Sequence, residues 1–112
     1  MGWADFAKAA LRRGETVTVK PRGHSMTGRI NDGDSVTLEP CRPESLAVGD
    51  IVLVRVRGTD YLHLIKAIDS DRFLIGNNRG GTNGWVGAGG LFGKAVKVES
   101  PTERRIADVE GK

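Results

Sequence analysis

Seven mostly apolar residues, Ile51-Val52-Leu53-Val54-Arg55-Val56-Arg57, are followed by Gly58-Thr59-Asp60 and then by Tyr61-Leu62-His63-Leu64-Ile65-Lys66-Ala67-Ile68. Short β-branched runs on either side of a glycine turn favour strands over helices, so this stretch is expected to form a hairpin. The start of the first arm does not alternate between apolar and polar residues, as is typical of a strand covered on both faces.

The flanking segments extend this pattern. Residues 3–13 place Trp3, Phe6, Ala7, Ala10 and Leu11 at helical spacing, with Asp5 near the start, Arg12 and Arg13 in the last turn and Gly14 as the stop. A short amphipathic helix is expected, its apolar stripe packed on the domain; the alternative use of that stripe is a partner surface or dimer contact. From Glu15 the period changes to two, with Val17 and Val19 on one face, and Pro21 ends the strand. Asn31-Asp32-Gly33-Asp34 signals a turn before residues 35–39, where Val36 and Leu38 point inward. Further strands are expected over 72–76 and 91–98, separated by a polar, glycine-rich loop over 77–85.

With 112 residues the chain has room for one domain with a modest core. Strands that do not alternate with helices give a mainly β class with antiparallel neighbours. The expected organisation is a helix over residues 1–14, a β domain over 15–99 and a polar tail over 100–112.

Composition narrows the function. The 17 basic and 14 acidic residues are interspersed and leave a net charge of +3, too little and too mixed for a nucleic-acid groove. No stretch reaches the roughly 18 apolar residues of a membrane helix, so a soluble, cytoplasmic protein is expected. The single cysteine, Cys41, and two histidines, His24 and His63, fall short of a zinc site, and no metal or cofactor is expected. Cys41, between Pro40 and Arg42, reads as a small filler residue. The glycines of the 77–85 loop lack the Lys-Ser/Thr ending of a phosphate loop; Asn77, Asn78, Asn83 and Trp85 read as turn-fixing residues, the alternative being the floor of a peptide groove.

The chemistry centres on Lys20-Pro21-Arg22-Gly23-His24-Ser25-Met26-Thr27-Gly28-Arg29-Ile30. A serine hydroxyl needs a base to take its proton and amide N–H groups to hold the oxyanion that forms. His63 and Lys66 are the candidate bases. Strand parity puts Tyr61, His63 and Ile65 on one face and Leu62, Leu64 and Lys66 on the other, so without a bulge only one of the two can meet Ser25.

Gly23-His24-Ser25-Met26 with Ile30 and Gly33-Asp34 resembles the nucleophile segment of the signal-peptidase and LexA superfamily (S24/S26-type serine peptidases). Val48-Gly49-Asp50-Ile51-Val52, His63-Leu64-Ile65 and Gly93-Lys94-Ala95-Val96 resemble its later segments, in the same order. The resemblance implies a LexA-like arrangement of twisted antiparallel sheets with β-clip-like elements. It also implies Ser25 as nucleophile, His63 as general base with Lys66 as the alternative, and the Ser25 and His24 backbone N–H groups as oxyanion donors. Met26 and Val52 would line the cleft, and substrate would bind as an extended strand added to a sheet edge. The chain departs from the pattern at Gly28, where the family usually has proline, at Leu64, where it has arginine, and in carrying histidine at the base position.

Repressor-type members cut themselves at an Ala-Gly or Cys-Gly bond upstream of the serine, and residues 1–24 contain neither pair. The expected activity is therefore cleavage of an extended peptide in trans. The alternative is a catalytically inactive domain that uses the same cleft to hold a protein or peptide partner, including a second copy of the chain.

Overall fold

The computed structural model describes residues 2–23 and 25–101. The short apolar runs pair edge to edge into a single sheet. In chain order the elements are α1 (Asp5–Arg12), β1 (Val17–Val19), β2 (Ser35–Glu39), β3 (Ile51–Val56), β4 (Thr59–Asp69), β5 (Arg72–Gly76), β6 (Thr82–Gly87) and β7 (Leu91–Glu99). All the pairings are antiparallel, and the strand order is β1-β2-β7-β3-β4-β5-β6. The mainly β class with a short N-terminal helix agrees with expectation.

The β3–β4 hairpin is the middle of this sheet. Its register runs from Val56 opposite Thr59 to Ile51 opposite Leu64. Arg57 and Gly58 both take positive φ, 51° and 82°, the left-handed twist of a two-residue hairpin turn. The turn thus lies one residue earlier than the sequence suggested, and Thr59 and Asp60 belong to β4.

Apolar residues cover both faces of β3. On one face Ile51 and Leu53 join Leu62, Leu64, Val36, Leu38 and the helix residues Ala7, Ala10 and Leu11. On the other, Val52, Val54 and Val56 pack with Leu46, Ile65, Phe73 and Ile75. The lack of alternation in the sequence has this physical cause.

Helix α1 lies close against the sheet because the residues it turns inward are mostly alanines: Ala4, Ala7 and Ala10 are buried with Leu11. The helix closes with Gly14 N–H donating to the Leu11 carbonyl and Glu15 N–H to that of Ala10. The expected apolar stripe is only partly inward: Trp3 is 55% exposed and Phe6 73% exposed. Lys8 is buried instead, its Nζ 2.8 Å from Asp60 Oδ2 and 3.3 Å from Asp5 Oδ1. The stripe was misassigned because small residues dock this helix, and a lysine with two carboxylate partners occupies an inward position.

The strand β6 was expected to be loop. Its glycines, Gly84 and Gly87, hide a strand that forms by pairing Phe73 with Val86 and Leu74 with Trp85. The expected polar tail falls outside the described residues from position 102 on. Among the described residues no helix is long and apolar enough to cross a membrane.

Gly93 lies where α1 meets the sheet. A Cβ there would stand 2.8 Å from Leu11 Cδ1 and 2.8 Å from the Glu39 carbonyl oxygen. Gly93→Ala is expected to destabilise the protein by about 1–3 kcal/mol through overpacking, lowering its thermal midpoint by several degrees in a circular-dichroism melt. An unchanged midpoint would mean that the helix can shift away without loss.

Candidate active site

The site forms where one strand stops. β5 pairs with β4 only from Asp69 to Leu64, so among the described residues no strand flanks the Thr59–His63 half of β4 on that side. The segment joining β1 to β2, which carries Ser25, lies against this bare edge.

Ser25 Oγ is 3.1 Å from His63 Nε2, and His63 Nδ1 is 2.7 Å from Asn83 Oδ1. An amide oxygen can only accept a hydrogen bond, so Nδ1 carries the proton. Nε2 then presents its lone pair, and the Ser25 hydroxyl donates to it. Tyr61, one same-face position along β4, stacks on the imidazole with ring centroids 4.8 Å apart. The ring is thus fixed through both nitrogens and one face.

Burial holds the His63 pKa below its ordinary value, and the nearby Lys66 charge adds to this; the bond to Asn83 opposes them in part. The imidazole is 6% exposed. Its neutral form, the one able to accept a proton, is therefore favoured at neutral pH.

The two candidate bases separate as strand parity implied, although the strand is not regular. A register shift between Ile65 and Ala67 makes Lys66 the extra residue of a bulge, and its stem lies over Gly76. Among the described residues no hydrogen bond or ion pair joins Lys66 to Ser25. Lys66 acts on His63 only through its charge.

The serine segment is tied down from several sides. The Met26 carbonyl accepts from the N–H groups of Arg29 and Ile30 at 2.9 and 2.7 Å. Asn78 holds the segment from the β5–β6 connection, its N–H donating to the Ser25 carbonyl at 3.0 Å and its Nδ2 to the Thr27 carbonyl at 2.8 Å. Gly28 has φ of +96° and donates its N–H to Asn31 Oδ1 at 3.1 Å. Proline can adopt neither that φ nor that bond. Proline could not replace Gly28 in this turn, which Asn31 and Asn78 hold.

Met26 lines the cleft from beneath with Ile30 and Leu62, all three buried. Val52 does not line it. It stands opposite His63 in register but is fully buried, because β3 is flanked by β4 and β7 and covered on its other face by Ile65 and Phe73. The expectation of a cleft role for Val52 is corrected accordingly. His24, the other expected oxyanion donor, lies outside the described residues.

Cys41 is half-buried against the second apolar cluster, and burial raises its thiol pKa, which suits a filler rather than a nucleophile. Among the described residues no cluster of His, Cys, Asp and Glu is set to hold a metal ion. Turn-fixing was the preferred reading of Asn78 and Asn83, and their bonds to the serine segment and to His63 were not foreseen. A glycine-rich loop with three asparagines was the available signal, but nothing local tells which amide reaches back to a strand 20 residues earlier.

The cleft has a volume of about 430 Å³ and runs from the Ser25–His63 pair along Tyr61 and Leu62 to Trp3. No curated protein matches the chain. The model of the Peptidase S24-like family, in contrast, matches residues 4–83, a span that begins just before α1, includes Ser25 and His63 and ends on Asn83. With that match covering most of its length, the chain belongs to the Peptidase S24-like family.

Proposed function

We propose that the protein is a serine peptidase that cuts an extended peptide in trans, with Ser25 as nucleophile and His63 as general base. The observation that carries this reading is the 3.1 Å contact from Ser25 Oγ to His63 Nε2, with the opposite ring nitrogen held by Asn83.

The bare edge of β4 supplies the place for the peptide. Ile65 N–H donates to the Asp50 carbonyl and its carbonyl accepts from Gly49 N–H, so Ile65 points its backbone groups toward β3. By antiparallel alternation His63 and Tyr61 do the same, while Leu62 and Asp60 direct theirs to the bare edge. A peptide added there as a strand bonds to Leu62 and Asp60 and lies alongside Ser25.

Attack of Ser25 Oγ on the scissile carbonyl forms the C–O bond as the hydroxyl proton passes to His63 Nε2. The oxyanion is held by backbone N–H groups, that of Ser25 first among them. Collapse of the intermediate breaks the C–N bond, and the imidazolium returns its proton to the departing amine. A water molecule, deprotonated by His63, then releases the acyl group from Ser25. Asn83 keeps the ring oriented and its protonated nitrogen turned away from the serine throughout.

A serine-directed phosphonate is expected to label the wild-type protein and not Ser25→Ala, and His63→Ala should lower the labelling rate by about 10²–10⁴-fold. Absence of both labelling and cleavage of a denatured-protein library in the wild type would instead favour a binding module that keeps the fold.

The pH profile checks the base separately. A histidine whose pKa lies below its ordinary value is already neutral at mildly acid pH, so kcat/KM should rise along a single limb centred below about 6.5 and stay flat through neutrality. Asn83→Asp, which places a carboxylate against Nδ1–H, should move that limb to higher pH. A limb near the pKa of lysine would point to Lys66.

A further inference from the structure

Trp3 was expected in the core and is found at the cleft. It is 55% exposed, but the backbone on either side is anchored: Ala4 beside it is fully buried, and Gly2 N–H donates to Asp5 Oδ2 at 2.9 Å while Asp5 N–H donates to the Gly2 carbonyl at 3.2 Å. Its indole lines the same cleft as Ser25 and His63, above the buried Met26, Ile30 and Leu62. A tryptophan at the wall of an apolar cleft presents a large contact area with only two side-chain torsions to fix on binding.

The charges around the cleft are one-sided. Lys20 and Arg22, on the segment leaving β1, line it and make no ion pair among the described residues. Asp60 is the acidic residue among those lining it, and its carboxylate is already engaged by Lys8 Nζ at 2.8 Å and Arg55 Nη1 at 3.5 Å. Asp32, beside the cleft, directs its Oδ1 at Gly23 N–H at 3.4 Å, so Lys20 and Arg22 are the charged groups among the lining residues that no ion pair neutralises.

We infer that the cleft selects an extended peptide with a bulky apolar side chain flanked by acidic residues. The apolar group packs against Trp3 over Met26 and Leu62, and a carboxylate pairs with Lys20 and Arg22. This specificity rests on the peptidase reading only in its location at the same cleft, and binding can be measured without turnover.

The test uses fluorescently labelled peptides of one length, with a central leucine or phenylalanine flanked by Glu, Gln or Lys, titrated against full-length Ser25→Ala by anisotropy. The acidic series should bind about tenfold more tightly than the basic series, and that gap should shrink as salt is raised. Replacing the central apolar residue with serine, or making Trp3→Ala, should weaken binding about fivefold or more, with Trp3→Phe restoring most of it. Trp3 is half exposed and outside the core, so its variants should keep the wild-type circular-dichroism spectrum. The double variant Lys20→Glu/Arg22→Glu should reverse the charge preference. Binding that ignores peptide charge, survives Trp3→Ala unchanged or is absent at millimolar peptide overturns the inference. Tight, selective binding to Ser25→Ala with no cleavage by the wild type upholds the inference and removes the peptidase reading. Cleavage without charge or apolar preference does the opposite.

Discussion

The site depends on the point at which β5 stops pairing with β4. At Gly76, opposite Leu64, the Gly81 carbonyl and the Lys66 stem close in so tightly that no side chain fits. Asn77 then turns the chain back, its N–H donating to the Gly81 carbonyl at 2.9 Å and its side-chain oxygen accepting from the N–H groups of Arg79 and Gly81. Had the pairing continued, a fifth-strand residue would cover His63 and the outer half of β4. Because it ends, the edge of β4 over Thr59–His63 is left bare, and Ser25 reaches the His63 side chain at its inner end.

The same turn leads into the parts that hold the site. Asn78 binds the carbonyls of Ser25 and Thr27, while Asn83, a few residues on and already within β6, binds the imidazole. Ser25 and His63 come from sequence positions 38 apart, and one connection between two strands touches both. Their separation is thus set by the backbone geometry of the β5–β6 hairpin as well as by their own elements.

The sequence revealed much of the fold because strand formation here is local. Alternation in residues 15–20 and 35–39, its absence at the start of β3 and the turn at Gly58 all reflect which side chains are covered. The serine, its partner and the choice of His63 over Lys66 were legible through parity and motif order. Three features were not. The inward face of α1 is set by what lies under it, and alanines with an ion-paired lysine docked more closely than a tryptophan or phenylalanine could. Val52 was placed at the cleft by the family resemblance, but only the layers around β3 decide that it is sealed. Asn83 reaches the histidine through a strand whose glycines give it almost no β signal of its own. In each case the deciding contact is tertiary, between segments distant in sequence.

The choice of an amide beside the histidine has a thermodynamic consequence. At rest the hydroxyl, the imidazole and the amide are all neutral, so the protein can bury the ring without enclosing a charge, and each ring nitrogen still has a partner. A carboxylate in the place of Asn83 would have to be desolvated during folding, whether or not a peptide ever arrived. Under the proposed reaction, charge separation would be deferred to the moment of proton transfer from Ser25 to His63. The three side chains therefore rest as an uncharged set in the folded protein, joined by two hydrogen bonds that cost no buried charge.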